Sequence, residues 1–262
     1  MNMAPPALEQ AMTELGPWYH RVSLGESGLE TPGKGVNVSK KFAPLEPFLP
    51  ASLEGVRVLD LGCNAGGMAI EFAQRGASVL GIEAGHRYVE QAQWLRTVLG
   101  LEDRLEVRRG SLYSAALIEE RFDIVLFLGV FYHLRHPQLA LDICAKLCRE
   151  RLFMNTPFVA SAKEVLECRL GKSVSEAAGA IPFAHEPRYN WWFPAPSALN
   201  AMLKAAGFAE AEEVWRKDEP FKSSSAAVDN TSAYATGQIM LTARAGAESE
   251  VDAADALRAI FE

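Results

Sequence analysis

Val58-Leu-Asp-Leu-Gly-Cys-Asn-Ala-Gly-Gly67 is an apolar run that breaks into a glycine-rich turn and then into helix-compatible sequence. With the residues just before it, 56–61 (VRVLDL) reads as a strand lacking a polar face. Such strands belong inside a parallel sheet covered on both sides, where both rows of side chains are buried. The turn lies at the carboxyl end of that strand, where open α/β sheets bind ligands. Gly62 and Gly66 let ligand atoms approach the backbone, because no Cβ stands in the way. Asp60, Cys63 and Asn64 complete the turn, and the following helix presents free N–H groups there.

Outward from the turn the same alternation continues. Residues 67–76 place Met68, Phe72 and Ala73 on one side of a helix, 78–83 (SVLGIE) reads as a strand and 86–99 as a second helix. Residues 105–108 alternate like a strand, and 122–128 (FDIVLFL) are continuously apolar. Residues 137–147 are helical, with proline where a first turn tolerates it, and 151–155 give a fifth strand. Strands alternating with helices of this length imply crossover units and a doubly wound sheet. The rhythm breaks over 157–193, after which come a helix at 196–206, stopped by Gly207, and strands at 208–215 and 237–245. These last two are expected to form an antiparallel closing pair. The predicted fold is α/β and Rossmann-like: a doubly wound, seven-stranded, mostly parallel sheet. Residues 1–45 are expected to form a helix and lid segment over the sheet's edge, 46–245 a single core with a substrate-side insertion at 157–193, and 246–262 an acidic helical tail.

Composition narrows the classes. Of 262 residues, 49% are apolar and 23% charged, which excludes collagen-like, low-complexity and disordered chains. Lys plus Arg is 26 and Asp plus Glu is 33, a net charge of −7. A stripe that grips nucleic-acid phosphates usually makes a domain basic, so this balance counts against such binding. Cys63, Cys144, Cys148 and Cys168 have no metal-ligand spacing, and Cys144 and Cys148 share one face of an apparent helix. They read as small buried side chains of a reducing compartment, with no metal site. No run approaches the ~18 apolar residues of a membrane span. The opening MNMAPPALEQAMTELG lacks the basic start and apolar block of a secretory signal, so a cytoplasmic location is expected.

Two cofactor readings compete at the turn. A dinucleotide loop would read Gly-x-Gly-x-x-Gly, but its middle glycine is Asn64 here, which crowds the space a pyrophosphate needs. Asp60 would also repel a diphosphate, whereas a cationic ligand would favour an anion there. S-adenosylmethionine carries both an ammonium and a sulfonium. VLDLGCNAGG resembles the first motif of class I S-adenosylmethionine-dependent methyltransferases. Glu83, with Ala84 beside it, ends the second strand twenty-one residues after Gly62, where a carboxylate accepts from ribose hydroxyls. Dehydrogenases place an acid there too, so Glu83 alone does not discriminate. The resemblance implies that Ser111 and Leu112 hold the adenine and that Gly129 lines the cofactor's path. The family often has Asp at the first of these positions, where this chain has Ser111.

FLGVFYHLRHP (127–137), PWYHRVSLGESGLETPG (17–33) and RYNWWFPAPSALNAMLKAAGF (188–208) resemble a narrower subfamily, related to tRNA-wobble-uridine carboxymethyltransferases. The resemblance implies that Tyr132 orients the transferred group near the sulfonium. His133 is a candidate general base, because imidazole titrates near neutral pH. His20, a further catalytic candidate, and Trp18, a candidate substrate contact, belong to a Trp18-Tyr19-His20 segment that would fold over the pocket and exclude water. Arg188, Tyr189, Trp191 and Trp192 would form a substrate wall, with core packing accounting for at least one of the tryptophans. The chain departs from the tRNA enzymes before the core, where it reads GKGVNVSKKFAP (33–44) instead of a tryptophan-rich stretch. Lys41 corresponds to one lysine with which those enzymes hold a carboxylated cofactor, but its companions are not apparent. Ordinary S-adenosylmethionine is therefore the expected cofactor, and a small molecule the expected methyl acceptor, through oxygen. A tRNA substrate, gripped by a basic face around Lys34, Lys40, Lys41 and Arg188, is the alternative, and a non-catalytic cofactor-binding protein a second one. A homodimer is left open.

Overall fold

The computed structural model describes residues 4–33, 35, 37–168, 192–218 and 236–246. In chain order the helices and strands are α1 (Pro5–Glu14), α2 (Val38–Phe42), β1 (Arg57–Leu61), α3 (Gly67–Gln74), β2 (Ser78–Glu83), α4 (His86–Val98), β3 (Leu105–Arg109), β4 (Phe122–Leu128), α5 (Pro137–Leu147), β5 (Cys148–Val159), β6 (Leu166–Cys168), β7 (Trp192–Pro194), α6 (Pro196–Ala205), β8 (Phe208–Lys217) and β9 (Thr236–Ala245). The fold is α/β and Rossmann-like, and among the described residues its mostly parallel strands number seven besides the short β6 and β7. Contacts divide the chain into two compact units, Met1–Gly110 and Ser111–Glu262.

In the first unit the strands run β3-β2-β1, all parallel, with Arg57 opposite Ser78 and Leu61 opposite Ile82. Val58, Leu59 and Leu61 on β1 and Val79, Leu80 and Ile82 on β2 are buried, as a sheet covered on both faces requires. α3 is buried from Gly67 through Ala73, so it is an interior helix with hardly any polar face. The N-terminal segment takes a course different from the expected one over the sheet's edge. It packs on the helical layer: the Trp18 ring lies 5.7 Å from that of Trp94 on α4, and Phe42 meets Phe72 of α3 edge-on at 5.0 Å. Gln91 of α4 donates to the Leu15 and Pro17 carbonyls at 2.8 and 3.0 Å, satisfying backbone that a loop would otherwise leave unpaired.

In the second unit the order is β4-β5-β9-β8. β4 and β5 are parallel and joined through α5, whereas β9 is antiparallel to both β5 and β8, the closing pair expected from sequence. α5 buries Ala140, Leu141, Ile143, Cys144 and Leu147, and α6 buries Ala198, Leu199 and Leu203. β5 is longer than the 151–155 reading. Cys148 accordingly opens that strand and does not share a helix face with Cys144; both are nevertheless buried. Of the 157–193 insertion, β6 and β7 form a two-stranded antiparallel sheet. Residues 169–191 and the tail beyond Gly246 lie outside the described residues.

Candidate functional site

Backbone geometry builds the glycine turn. Gly62 and Gly66 have φ of 75° and 76°, the left-handed region that favours glycine, and Asn64 joins them at 53°. Asparagine tolerates that conformation because its short amide bonds locally, and here Asn64 Oδ1 accepts from Ala65 N–H at 2.8 Å. Gly62 and Cys63 N–H both reach Ile82 O, carrying the β1–β2 ladder into the turn. Glu83 then clamps it from β2: Oε2 accepts from Asn64 N–H at 2.8 Å and Oε1 from Gly85 N–H at 2.7 Å. Burial raises this carboxyl above the usual range, and the backbone N–H groups of Gly85, Asn64 and Ala84 oppose the rise. A carboxylate has roughly four lone-pair sites. Those bonds leave acceptor capacity for a ligand hydroxyl, so the residues fit the ribose of a nucleoside.

Asp60 is 3% exposed. Burial first, and the Glu83 charge second, push its carboxyl up to about 7 against a hydrogen bond from Ala69 N–H of α3. At neutral pH it therefore stands near its titration point, and a cation placed beside it would draw it fully to the anion. The Cys63 thiol is likewise pushed well up by burial, so it is inert as a nucleophile. It lies across Gly81 of β2, where a Cβ would come within 2.9 Å of its sulfur. At Gly66 a Cβ would meet Ala92 at 3.2 Å. Part of what sequence assigns to ligand access is thus close packing of the turn on its neighbours.

The N-terminal residues expected to fold over the pocket as a lid are held by local hydrogen bonds. Thr31 Oγ1 donates to His20 O at 2.7 Å and accepts from Val22 N–H at 2.9 Å, and Gly35 N–H donates to Tyr19 O at 2.9 Å. Gly33 and Gly35 admit no Cβ beside the Tyr19 and His20 backbone. Trp18, expected to touch substrate, is instead buried; its indole N–H donates to Met12 O at 2.7 Å and its ring packs on Trp94. The His20 ring lies edge-on to Tyr19 at 5.0 Å. Burial, and then the charge of Lys41, lower its pKa to about 3, which holds the imidazole neutral. The Lys41 ammonium lies 5.4 Å from the centre of the Tyr19 ring, and burial lowers its pKa as well.

The remaining described candidates belong to the second unit. Ser111 caps the turn Leu112–Leu117, accepting from Tyr113 N–H at 3.3 Å, and Leu112 is buried behind it. Gly129 has φ of 75°; its N–H donates to Asn155 O at 3.0 Å, and a Cβ there would meet nothing nearer than Tyr132 Oη at 3.7 Å. Tyr132 and His133 share the turn Phe131–His133, with ring centres 4.1 Å apart. Phe131, fully buried, anchors that turn, and Trp192 Nε1 donates to Leu134 O at 2.8 Å. Trp192 is therefore the tryptophan of the pair that packing explains. Sequence reading did not single out Asn155 or Gly81, whose roles come from strands and loops distant along the chain. Arg188 and Trp191 lie outside the described residues. Among the described residues no group of three or more His, Cys, Asp or Glu could hold a metal ion, and no helix is long and apolar enough to cross a membrane.

A model of the methyltransferase domain family matches residues 36–213. The ubiquinone biosynthesis O-methyltransferase of Cereibacter sphaeroides (strain ATCC 17029) is 33% identical over 100 residues, covering 38% of this chain and 40% of that one. The protein of the same name from Chelativorans sp. (strain BNC1) is 28% identical over 193 residues, covering 65% and 74%. The chain thus spans about two fifths of the first curated relatives it matches. Among solved structures, the N-terminal domain of EvdMO1 with SAH and D-fucose superposes with a TM-score of 0.68 at 22% identity, covering 93% of this chain and 97% of that one. The [4+2]-cyclase SpnF superposes with a TM-score of 0.57 at 17% identity, covering 80% and 81%.

Proposed function

This chain belongs to the methyltransferase domain family, and from that premise we propose that it moves a methyl group from S-adenosylmethionine to an oxygen of a small-molecule acceptor. The observation that carries the reading is the Glu83 clamp on a glycine turn that also holds the buried carboxyl of Asp60. When bound, the cofactor supplies an electrophilic methyl on a positively charged sulfur. Glu83 would accept from its ribose hydroxyls, and Asp60 would favour its positive charge over a pyrophosphate. The sequence resemblance assigns Ser111 and Leu112 to the adenine and Gly129 to the cofactor's path. Tyr132 would orient the reacting groups, and His133 would take the proton from the acceptor hydroxyl as it attacks. Positioning is the larger contribution, since alignment alone supplies ~7–11 kcal/mol in favourable cases. Oxygen as the acceptor atom is supported by the names of the O-methyltransferase relatives.

Calorimetric titration tests this reading. Asp60→Ala and Glu83→Ala are each expected to weaken S-adenosylmethionine binding more than tenfold, about the value of hydrogen bonds to charged groups. Unchanged affinity in both, or retention of a nicotinamide or flavin in place of the adenosyl compound, overturns it. A second reading, a tRNA wobble-uridine methyl or carboxymethyl transferase, draws on the sequence resemblance of 17–33, 127–137 and 188–208. The superposition on a [4+2]-cyclase shows that this fold also serves other chemistry, so transfer of labelled methyl to an acceptor is the decisive assay against a chain that only holds the cofactor.

A further inference from the structure

Tyr113 ties the turn Leu112–Leu117 to the start of α5. The turn is a stiff unit. Ser114 N–H and Ser114 Oγ both donate to Ser111 O, at 3.0 and 2.6 Å, and Tyr113 N–H donates to Ser111 Oγ. Its far end is held to α5 by the Lys146 ammonium, which donates to Ala116 O at 2.8 Å. The half-buried Tyr113 side chain leaves this turn and reaches a second loop. There its Oη accepts from His136 N–H at 3.1 Å and from Arg135 N–H, while its ring lies edge-on to His136 at 6.1 Å. Burial raises the phenol above its usual range, against those two N–H groups, so it is neutral at physiological pH.

Residues 134–136 join the turn that carries Tyr132 and His133 to α5. His133 and Leu134 N–H close that turn on Val130 O and Phe131 O, and α5 begins with Ala140 N–H on His136 O. Between them, Trp192 Nε1 holds Leu134 O at 2.8 Å and Tyr113 Oη holds the next two N–H groups. Pro137 follows with a fixed φ and no N–H, so the joint has little slack. The pin from β7 comes from the insertion. The other starts one residue beyond Leu112, which the sequence resemblance assigns to the adenine. A reacting group displaced by about 1 Å can cost about 10²-fold in rate, so the angle of this loop matters. We propose that Tyr113 is a positioning residue: its hydroxyl makes the placement of Tyr132 and His133 depend on whether the adenine turn is occupied. This rests on the cofactor reading above and adds a route from cofactor to loop through one phenol oxygen.

Residue-resolved amide hydrogen exchange on the full-length chain, with and without saturating S-adenosylhomocysteine, tests this. In the unaltered protein the ligand should slow exchange at Arg135 and His136 by about threefold to tenfold, the range of one strengthened hydrogen bond. Tyr113→Phe removes a single oxygen. It should speed exchange at both amides and bring the ligand-induced slowing within about twofold of unity, while calorimetric affinity for S-adenosylhomocysteine stays within about threefold. A merely structural tie would speed exchange equally in both states and leave the slowing intact. Trp192→Phe removes the pin that does not start from the adenine turn, and should keep the slowing. Loss of the slowing there, full slowing in Tyr113→Phe, or unchanged rates in the unaltered protein with ligand bound each overturn the inference while the cofactor reading stands. An affinity loss of more than about tenfold in Tyr113→Phe would make Tyr113 a ligand contact and overturns it too. Failure of the unaltered protein to bind S-adenosylhomocysteine overturns both readings.

Discussion

Asp60 links the electrostatics of the glycine turn to pH. Its carboxyl, raised from 3.8 to about 7 by burial and then by Glu83, is half protonated near neutrality. A bound cation favours the anion, so its arrival should expel a proton. Affinity should then climb as pH rises toward about 7, by at most tenfold per pH unit, and level off above it. Calorimetry in two buffers of different ionisation enthalpy reads the released proton directly, and Asp60→Asn should abolish both the release and the slope. A flat profile with no proton released would sink the assignment. Stability moves the opposite way. Because the folded pKa is the higher, this group's stabilising contribution is complete below pH 3.8 and is lost as pH rises through about 7. Asp60→Asn should therefore leave the melting temperature unchanged or higher at pH 8, about one pH unit above the folded value. Sequence pointed to Asp60 and Glu83 through their places at strand ends, but not to the N–H groups that already occupy part of each carboxylate. Those bonds depend on how the turn closes, which no local pattern records.

At the scale of elements, the packing of β1 on β2 rests on a pairing of small and larger side chains. Gly81 sits mid-strand on β2 because Cys63 lies over it, with 2.9 Å between sulfur and a hypothetical Cβ. Gly81→Ala should destabilise the fold by about 1–3 kcal/mol, the usual cost of overpacking. Cys63→Ala in the same chain should recover at least half, because the two sites share one space. Thermal melts of the two single variants and the double variant check this, and strictly additive losses would refute the pairing. Element limits were legible where both kinds of local signal agreed: 78–83, 122–128 and 137–147 match β2, β4 and α5 to the residue. β5 was read short because Pro157 looks like a strand stop. Pairing with β4 ends at Leu128–Asn155, while β9 continues opposite Thr156 through Val159. A proline there can face the side that has no ladder left to serve. The N-terminal course over α3 and α4 was not legible, because it depends on Trp18, Gln91 and Phe42 meeting partners tens of residues away.

For the whole molecule, net charge bears on the size and charge of the acceptor. The family model covers 36–213, and the first curated relatives are matched over only two fifths of their length, so the cofactor-binding framework is shared more securely than the acceptor. Charge gives an independent handle. With 26 basic against 33 acidic residues, the net charge is −7, and a polyanion of tRNA size would approach against an unfavourable field. An enzyme that grips RNA must concentrate lysines and arginines on one face, and each phosphate contact releases counterions on binding. Affinity then falls with a logarithmic salt slope of about −0.7 to −0.9 per contact. A small acceptor held by a few hydrogen bonds and aromatic faces has no such slope. Methyl transfer to a hydroxyl-bearing small molecule should therefore change less than about twofold between 50 and 200 mM salt. Over the same range, binding to tRNA, measured by fluorescence anisotropy, should stay at the weak, sequence-independent level. Tight tRNA binding at low salt with a slope steeper than about −3 would mean several phosphates are held. That result would move the acceptor from the small-molecule to the nucleic-acid class while leaving the glycine turn, Asp60 and Glu83 in their proposed roles.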